Sequence, residues 1–247
     1  MMPAGTLRLA MWSGPRTIST ALMRSFGNRA DTLVCDEPLY AHYLAATGAR
    51  HPGAAEVIRH HETDWRRVVE TLIGPVPAGH RIFYQKQMAH HLLEEIDRSW
   101  LDRLTSAFLI RDPGEMLISL RQHLPEPTLA DTGLPQQLEI FERSRRRTAC
   151  WPPVIDARDL LDDPEGMLRR LCEVVEVPFD PAMLSWPAGP QPTDGIWGKH
   201  WYDAVNRSTG FRPYAPRAQT LPARFGGLHE ACREAYDKLR AHRLVVG

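Results

Sequence analysis

The chain has 247 residues, 43% of them hydrophobic and 24% charged, the composition of a globular protein long enough to bury one large core. Thirty basic side chains balance thirty acidic ones, and a net charge of zero argues against a nucleic-acid binder, which shows a basic excess. No apolar run reaches the length of a membrane span, and the N-terminal one is too short and too broken by Arg8 and Arg16 for a secretory signal, so a cytoplasmic location is expected.

Apolar runs alternate with helical patterns along the chain, which predicts a parallel α/β sheet. The first strand, over 8–12, runs into a Gly14-Pro15-Arg16 turn and then into Thr17, Ser19 and Thr20, which open a helix over 17–27. That arrangement suits an anion, because backbone N–H groups and the helix dipole favour negative charge at a helix start. Arg16 adds a planar cationic fork suited to phosphate or sulfate oxygens. A Walker A loop needs a Gly-Lys pair before its hydroxyl, and none is present here. The ligand class is nevertheless that of a phosphorylated nucleotide.

Further strands are predicted over 32–35, 81–85, 106–110 and 153–156, with helices over 64–72, 113–123, 135–149 and 164–175. From 178 to 222 the texture changes: Pro178, Pro181, Pro187, Pro190, Pro192, Pro213, Pro216 and Pro222 crowd around Trp186, Trp197 and Trp201. Such a segment is irregular yet ordered by its aromatics, and it reads as a binding loop or lid. A last helix is expected over 227–242, and the whole of 1–247 reads as a single domain.

Several features carry no chemistry of their own. Cys35, Cys150, Cys172 and Cys232 lack C-x-x-C spacing and are expected as reduced thiols in or near the core. The pairs His60-His61 and His90-His91 lack the i, i+4 spacing of helical metal ligands, so no metal site is expected. The basic run 143–147 is expected to be a solvated helix face.

In a doubly wound sheet, ligands bind beyond the carboxyl ends of the strands. Those ends carry the Arg16 loop, Asp36-Glu37-Pro38, Lys86 with His90-His91, and Arg111-Asp112-Pro113 leading into a helix with Ser119. Here the sequence resembles the PAPS-dependent sulfotransferases (PAPS is 3′-phosphoadenosine 5′-phosphosulfate). Pro15-Arg16-Thr17-Ile18-Ser19-Thr20 is similar to their first loop, P-[KR]-S-G-T-T, and Arg111-Asp112-Pro113 with Ser119 eight residues on is similar to their second signature. The resemblance implies a P-loop NTPase-like sulfotransferase fold, a three-layer α/β sandwich around a mostly parallel sheet. It also implies that Gly14, Arg16, Thr17, Ser19 and Thr20 hold the 5′-phosphosulfate, and that Arg111 and Ser119 hold the 3′-phosphate, with Lys199 of Gly198-Lys199-His200 as a further cation. Ile18 replaces the glycine of the family loop, so that turn is expected to change shape.

The expected reaction moves a sulfuryl group from PAPS to a hydroxyl of a small molecule, releasing PAP without a metal. Arg16 and Lys86 are the candidate cations for the transferring group. The proton acceptor is Glu37, which the following Pro38 is expected to hold in extended backbone, or His90. Two alternatives stand beside this reading: an ATP-dependent small-molecule kinase, and a nucleotide-binding protein without transfer activity.

Overall fold

Five strands pair side by side in the order β2-β3-β1-β4-β5, every pair parallel. The computed structural model describes residues 5–215 and 219–247; Pro216 of the proline-rich segment lies outside them. In chain order the elements are β1 (Leu7–Ser13), α1 (Ser19–Gly27), β2 (Thr32–Asp36), α2 (Tyr40–Thr47), α3 (Ala54–His60), α4 (Trp65–Ile73), β3 (Ile82–Met88) and β4 (Thr105–Ile110). There follow α5 (Pro113–Leu120), α6 (Leu134–Thr148), β5 (Val154–Asp156), α7 (Ala157–Asp162), α8 (Pro164–Val174), α9 (Gly198–Trp201), α10 (Asp203–Asn206) and α11 (Gly226–Arg240).

The two-residue period of β1 sends Leu9 and Met11 to one face and Ala10 and Trp12 to the other. On the first face they meet Leu22, Met23 and Phe26 of α1 and Leu168 and Leu171 of α8. On the second they meet Leu117 of α5, Phe141 of α6 and Tyr236 and Leu239 of α11. A sheet covered on both sides has no solvated face, which is why its strands read as nearly continuous apolar runs. The result is the expected three-layer α/β sandwich. Because β1 lies between β3 and β4, the chain must cross over it, and the crevice opens at the carboxyl end of β1.

The differences from the sequence-based expectations are local. Helices α2 and α3 occupy a stretch for which none was predicted, and α7 follows directly on β5, started by the Asp156 side chain accepting from Arg158 N–H. Among its described residues the proline-rich segment contains a 3-10 turn at Pro181–Leu184 and the short helices α9 and α10, with no long regular element. Cys172 and Cys232 are buried and Cys35 is half-buried, whereas Cys150 is exposed. Arg143 of the basic run pairs with Asp102 at 2.7 Å, and Arg145 lies over the exposed ring of Trp151.

Gly14 closes β1 against the turn at Ala130–Thr132, where a Cβ would fall 2.3 Å from the Thr132 carbonyl oxygen. Backbone is on the other side, so no side chain can swing away. Gly14→Ala is therefore expected to lower stability by about 1–3 kcal/mol, as overpacking does. An unchanged urea midpoint in this variant would refute the contact.

Candidate functional site

A cavity of about 700 Å³ opens at the carboxyl ends of the strands. Arg16, Thr17, Ser19, Thr20, Glu37, Lys86, His90, Arg111 and Ser119 all line it. Two of the candidate residues do not. Gly14 is used for backbone packing, and Lys199 is a half-exposed lysine held by Glu56 at 2.5 Å, outside the lining.

At one lip the first loop meets the end of β4. Arg16 Nε donates to Ser119 Oγ at 3.0 Å, and Arg111 Nη1 donates to the Arg16 carbonyl at 2.9 Å. Asp112 caps α5 by accepting from Gly114 and Glu115 N–H, with Pro113 in its first turn, so the Asp-Pro pair fixes where that helix starts. Ser119 then falls two turns along α5, buried, facing the loop. A partner that sequence reasoning missed is Glu115, whose Oε2 accepts from both Nε and Nη2 of Arg111 at 3.0 and 2.8 Å. The i, i+4 spacing from Arg111 was the available signal.

The loop keeps its bend in spite of Ile18. Both Arg16 and Ile18 sit at φ 62°, in the left-handed region that a β-branched residue avoids. Ile18 thus takes the positive φ under backbone strain, of a kind that costs about 1–3 kcal/mol per residue. Ile18 directly precedes α1 and its side chain does not cap the helix. Thr17 Oγ1 donates to the Gly14 carbonyl at 2.9 Å, so its hydrogen closes the turn instead of facing the cavity. Ser19 and Thr20 remain at the helix start, on the cavity wall.

The floor is a buried charge cluster. The β2–β3 register pairs Asp36 with Lys86, which places their side chains on the same face. Lys86 is 1% exposed, and its Nζ donates to Asp36 Oδ1 at 3.0 Å, to Tyr202 OH at 2.8 Å and to Glu37 Oε1. Burial pushes the Lys86 ammonium down, but Asp36 and Glu37 more than reverse this and hold it at about 12. Burial also pushes the Glu37 carboxyl above its ordinary value; Lys86 opposes that shift and Asp36 adds to it. Glu37 lies at φ 42°, so the extended backbone expected before Pro38 does not form.

The wall beyond the floor is aromatic. Tyr40 stacks on His91 with centroids 4.9 Å apart, Tyr43 lies across His90 and His91, and His51 donates to or accepts from Tyr40 OH at 2.9 Å. Trp201, Val205 and Phe211 of the proline-rich segment also line the cavity and continue this wall. Burial, reinforced by His51, holds His90 down at about 4, and burial with His90 beside it holds His91 well below the ordinary imidazole value. Both rings are neutral at pH 7, and Nδ1 of each has no hydrogen-bond partner among the described residues. No group of three or more His, Cys, Asp or Glu among the described residues is arranged to hold a metal, and no helix among them is long and apolar enough to cross a membrane.

These imidazoles link stability to pH. Their folded values lie below the unfolded value near 6.5, so the unfolded chain binds more protons as pH falls through that point. Stability is fully present above pH 6.5 and is lost progressively from there toward pH 4. The urea midpoint should fall across that window, and His91→Gln should flatten the slope; an equally steep slope in the variant would exclude His91 as a source.

Comparisons with known proteins bear on the family and the fold. The chain is 38% and 37% identical, over 232 residues, to the branched-chain-amino-acid aminotransferase-like proteins 1 and 2 of Arabidopsis thaliana. The match covers 94% of this chain but only 41% of each plant protein, so the chain spans less than half of their length. Among solved structures, the sulfotransferase domain of the Synechococcus PCC 7002 olefin synthase shares the fold with a TM-score of 0.54 at 16% identity, covering 99% of this chain and 98% of that one. A sulfotransferase from Alicyclobacillus acidocaldarius does so with a TM-score of 0.50 at 12% identity, covering 98% of both. The family model for the sulfotransferase domain matches residues 7–241, and with that match over nearly its whole length the chain belongs to the sulfotransferase domain family.

Proposed function

We propose that the protein transfers a sulfuryl group from PAPS to a hydroxyl of a small molecule bound against the aromatic wall. The observation that carries this reading is the joining of Arg16 to Ser119, 103 positions apart, with Arg111 on the Arg16 carbonyl. Both signatures of the resemblance thus meet at one lip of one cavity.

In this reading the start of α1, with Ser19 and Thr20, faces the 5′-phosphosulfate, and Arg111 with Ser119 faces the 3′-phosphate. Arg16 stands ready for the charge that builds on the bridging oxygen as the S–O bond breaks, whereas Lys86, its three hydrogens already committed, acts through the positive charge it gives the floor. The acceptor O–H gives its proton to Glu37 as its oxygen bonds to sulfur, and PAP leaves with the electron pair. Glu37 suits this role better than His90, because burial strengthens a carboxylate as a base and weakens an imidazole. Lys199 has no part in this scheme, given its place outside the cavity.

Binding is tested by thermal shift with PAP, compared with ADP and with ATP·Mg²⁺. PAP is expected to stabilise the protein selectively, and Arg111→Ala to abolish the shift. A response to ATP·Mg²⁺ alone would favour a kinase, and PAP binding without turnover on a broad acceptor panel would favour a non-catalytic nucleotide binder.

For the chemistry, Glu37→Gln should keep the PAP shift and lose about 10²–10⁴ in kcat, the usual scale of a general base. Activity should rise with pH as Glu37 loses its proton, with a midpoint above the ordinary carboxylate range. If His90→Gln abolishes turnover and Glu37→Gln does not, the assignment reverses.

A further inference from the structure

We propose that Asp36 is a positioning residue for the Lys86–Glu37 pair, a second carboxylate that competes with Glu37 for one buried ammonium and so keeps Glu37 available to the acceptor. The inference rests on the reading of Glu37 as the base. The ammonium has three hydrogens, and Asp36, Glu37 and Tyr202 take one each.

The two neighbouring carboxylates are treated very differently. Asp36 is 8% exposed and accepts from Lys86 Nζ, from the Gly195 backbone N–H at 3.0 Å, and from Tyr202 OH at 2.8 Å to each oxygen. Trp197 Nε1 donates to the Tyr202 oxygen at 3.2 Å, as Lys86 does, which leaves the Tyr202 hydrogen for Asp36. Glu37 receives the ammonium and only a long contact, 3.4 Å, from Tyr202. One carboxylate is thereby committed on all sides, and the other keeps unused capacity at the cavity wall.

The groups facing Glu37 are Asp36 from its own strand end, Lys86 from β3, Tyr40 from α2 and Tyr202 from the segment between α9 and α10. Arg24 of α1 is already engaged by Asp194 at 2.6 Å, Asn206 at 3.0 Å and the Gly189 carbonyl at 3.2 Å. Of these, Asp36 is the like charge. Removing it gives Glu37 an undivided ammonium and relieves repulsion at the same time, and both effects lower the proton affinity of Glu37.

The test is a carboxyl ¹³C titration of protein labelled at glutamate, with the Glu37 resonance identified by its loss in Glu37→Gln. Asp36→Asn is expected to move the Glu37 midpoint down by about one pH unit or more. Asp36→Ser serves where the Asn amide is not tolerated beside the Gly195 N–H, and the same downward shift is expected. An unmoved midpoint in either folded variant, foldedness being checked by circular dichroism, would overturn the proposal. Turnover is followed in parallel as PAP release from PAPS with a mixture of phenol, a primary alcohol and a sugar alcohol. An acid limb that moves down with the midpoint supports both readings. A midpoint that moves while the limb does not overturns Glu37 as the base and leaves the positioning role standing.

Discussion

Taking an ammonium out of water costs several kcal/mol even after the protein relaxes around it, and Lys86 is out of water almost entirely. Such a charge is tolerated only where its hydrogens all find acceptors. Here the three acceptors come from two distant parts of the chain: Asp36 and Glu37 from the end of β2, and Tyr202 from the proline-rich segment. Satisfying this one group fixes how β2 and β3 end and brings the segment beyond residue 186 back over the sheet. The cavity floor and its aromatic wall both follow from that arrangement.

The second constraint is backbone strain. Arg16, Ile18 and Glu37 all lie at positive φ, and all three line the cavity. Strain of this kind persists only where surrounding contacts over-determine it. The Arg16 loop is held by Thr17 on Gly14, by Arg111 on the Arg16 carbonyl and by the Thr132 turn against Gly14. The Glu37 bend is held by its own N–H on the Lys86 carbonyl and by Tyr40 N–H on its carbonyl. Both bends direct side chains toward the crevice, which regular strand or helix backbone at those positions would not do.

All five strands were legible in the sequence through their apolar runs, even where β3 ends in Gln85-Lys86-Gln87, and the layer order through the family resemblance. The lip where the Arg16 loop meets α5 was legible too, through the spacing of Arg111, Asp112, Pro113 and Ser119, each of which has a local structural reason. What was not legible depends on tertiary contact. Tyr202 and Gly195 reach Asp36 from about 160 positions away, and no local pattern announces such a meeting. Lys199 looked like a ligand because its segment resembles the basic, glycine-containing loop of the family, yet its side chain turns outward to Glu56. Ile18 misled in the opposite direction, since neighbouring contacts override its own preference. Helix α2 escaped notice because its capping residue, Leu39, offers no side-chain hydrogen bond to mark the start.

The anchoring of the proline-rich segment has a consequence for how this site can diversify. Arg24 grips the segment at Gly189, Asp194 and Asn206, and Asp36 grips it at Gly195 and Tyr202. Those grips use backbone atoms or buried polar groups, whereas Trp201, Val205 and Phe211 project from the same segment onto the cavity. Attachment and the apolar part of the cavity wall are therefore carried largely by different side chains. Descendants of this chain can exchange the projecting residues, and with them the shape of the cavity, without disturbing the fastening that keeps the charged floor in place.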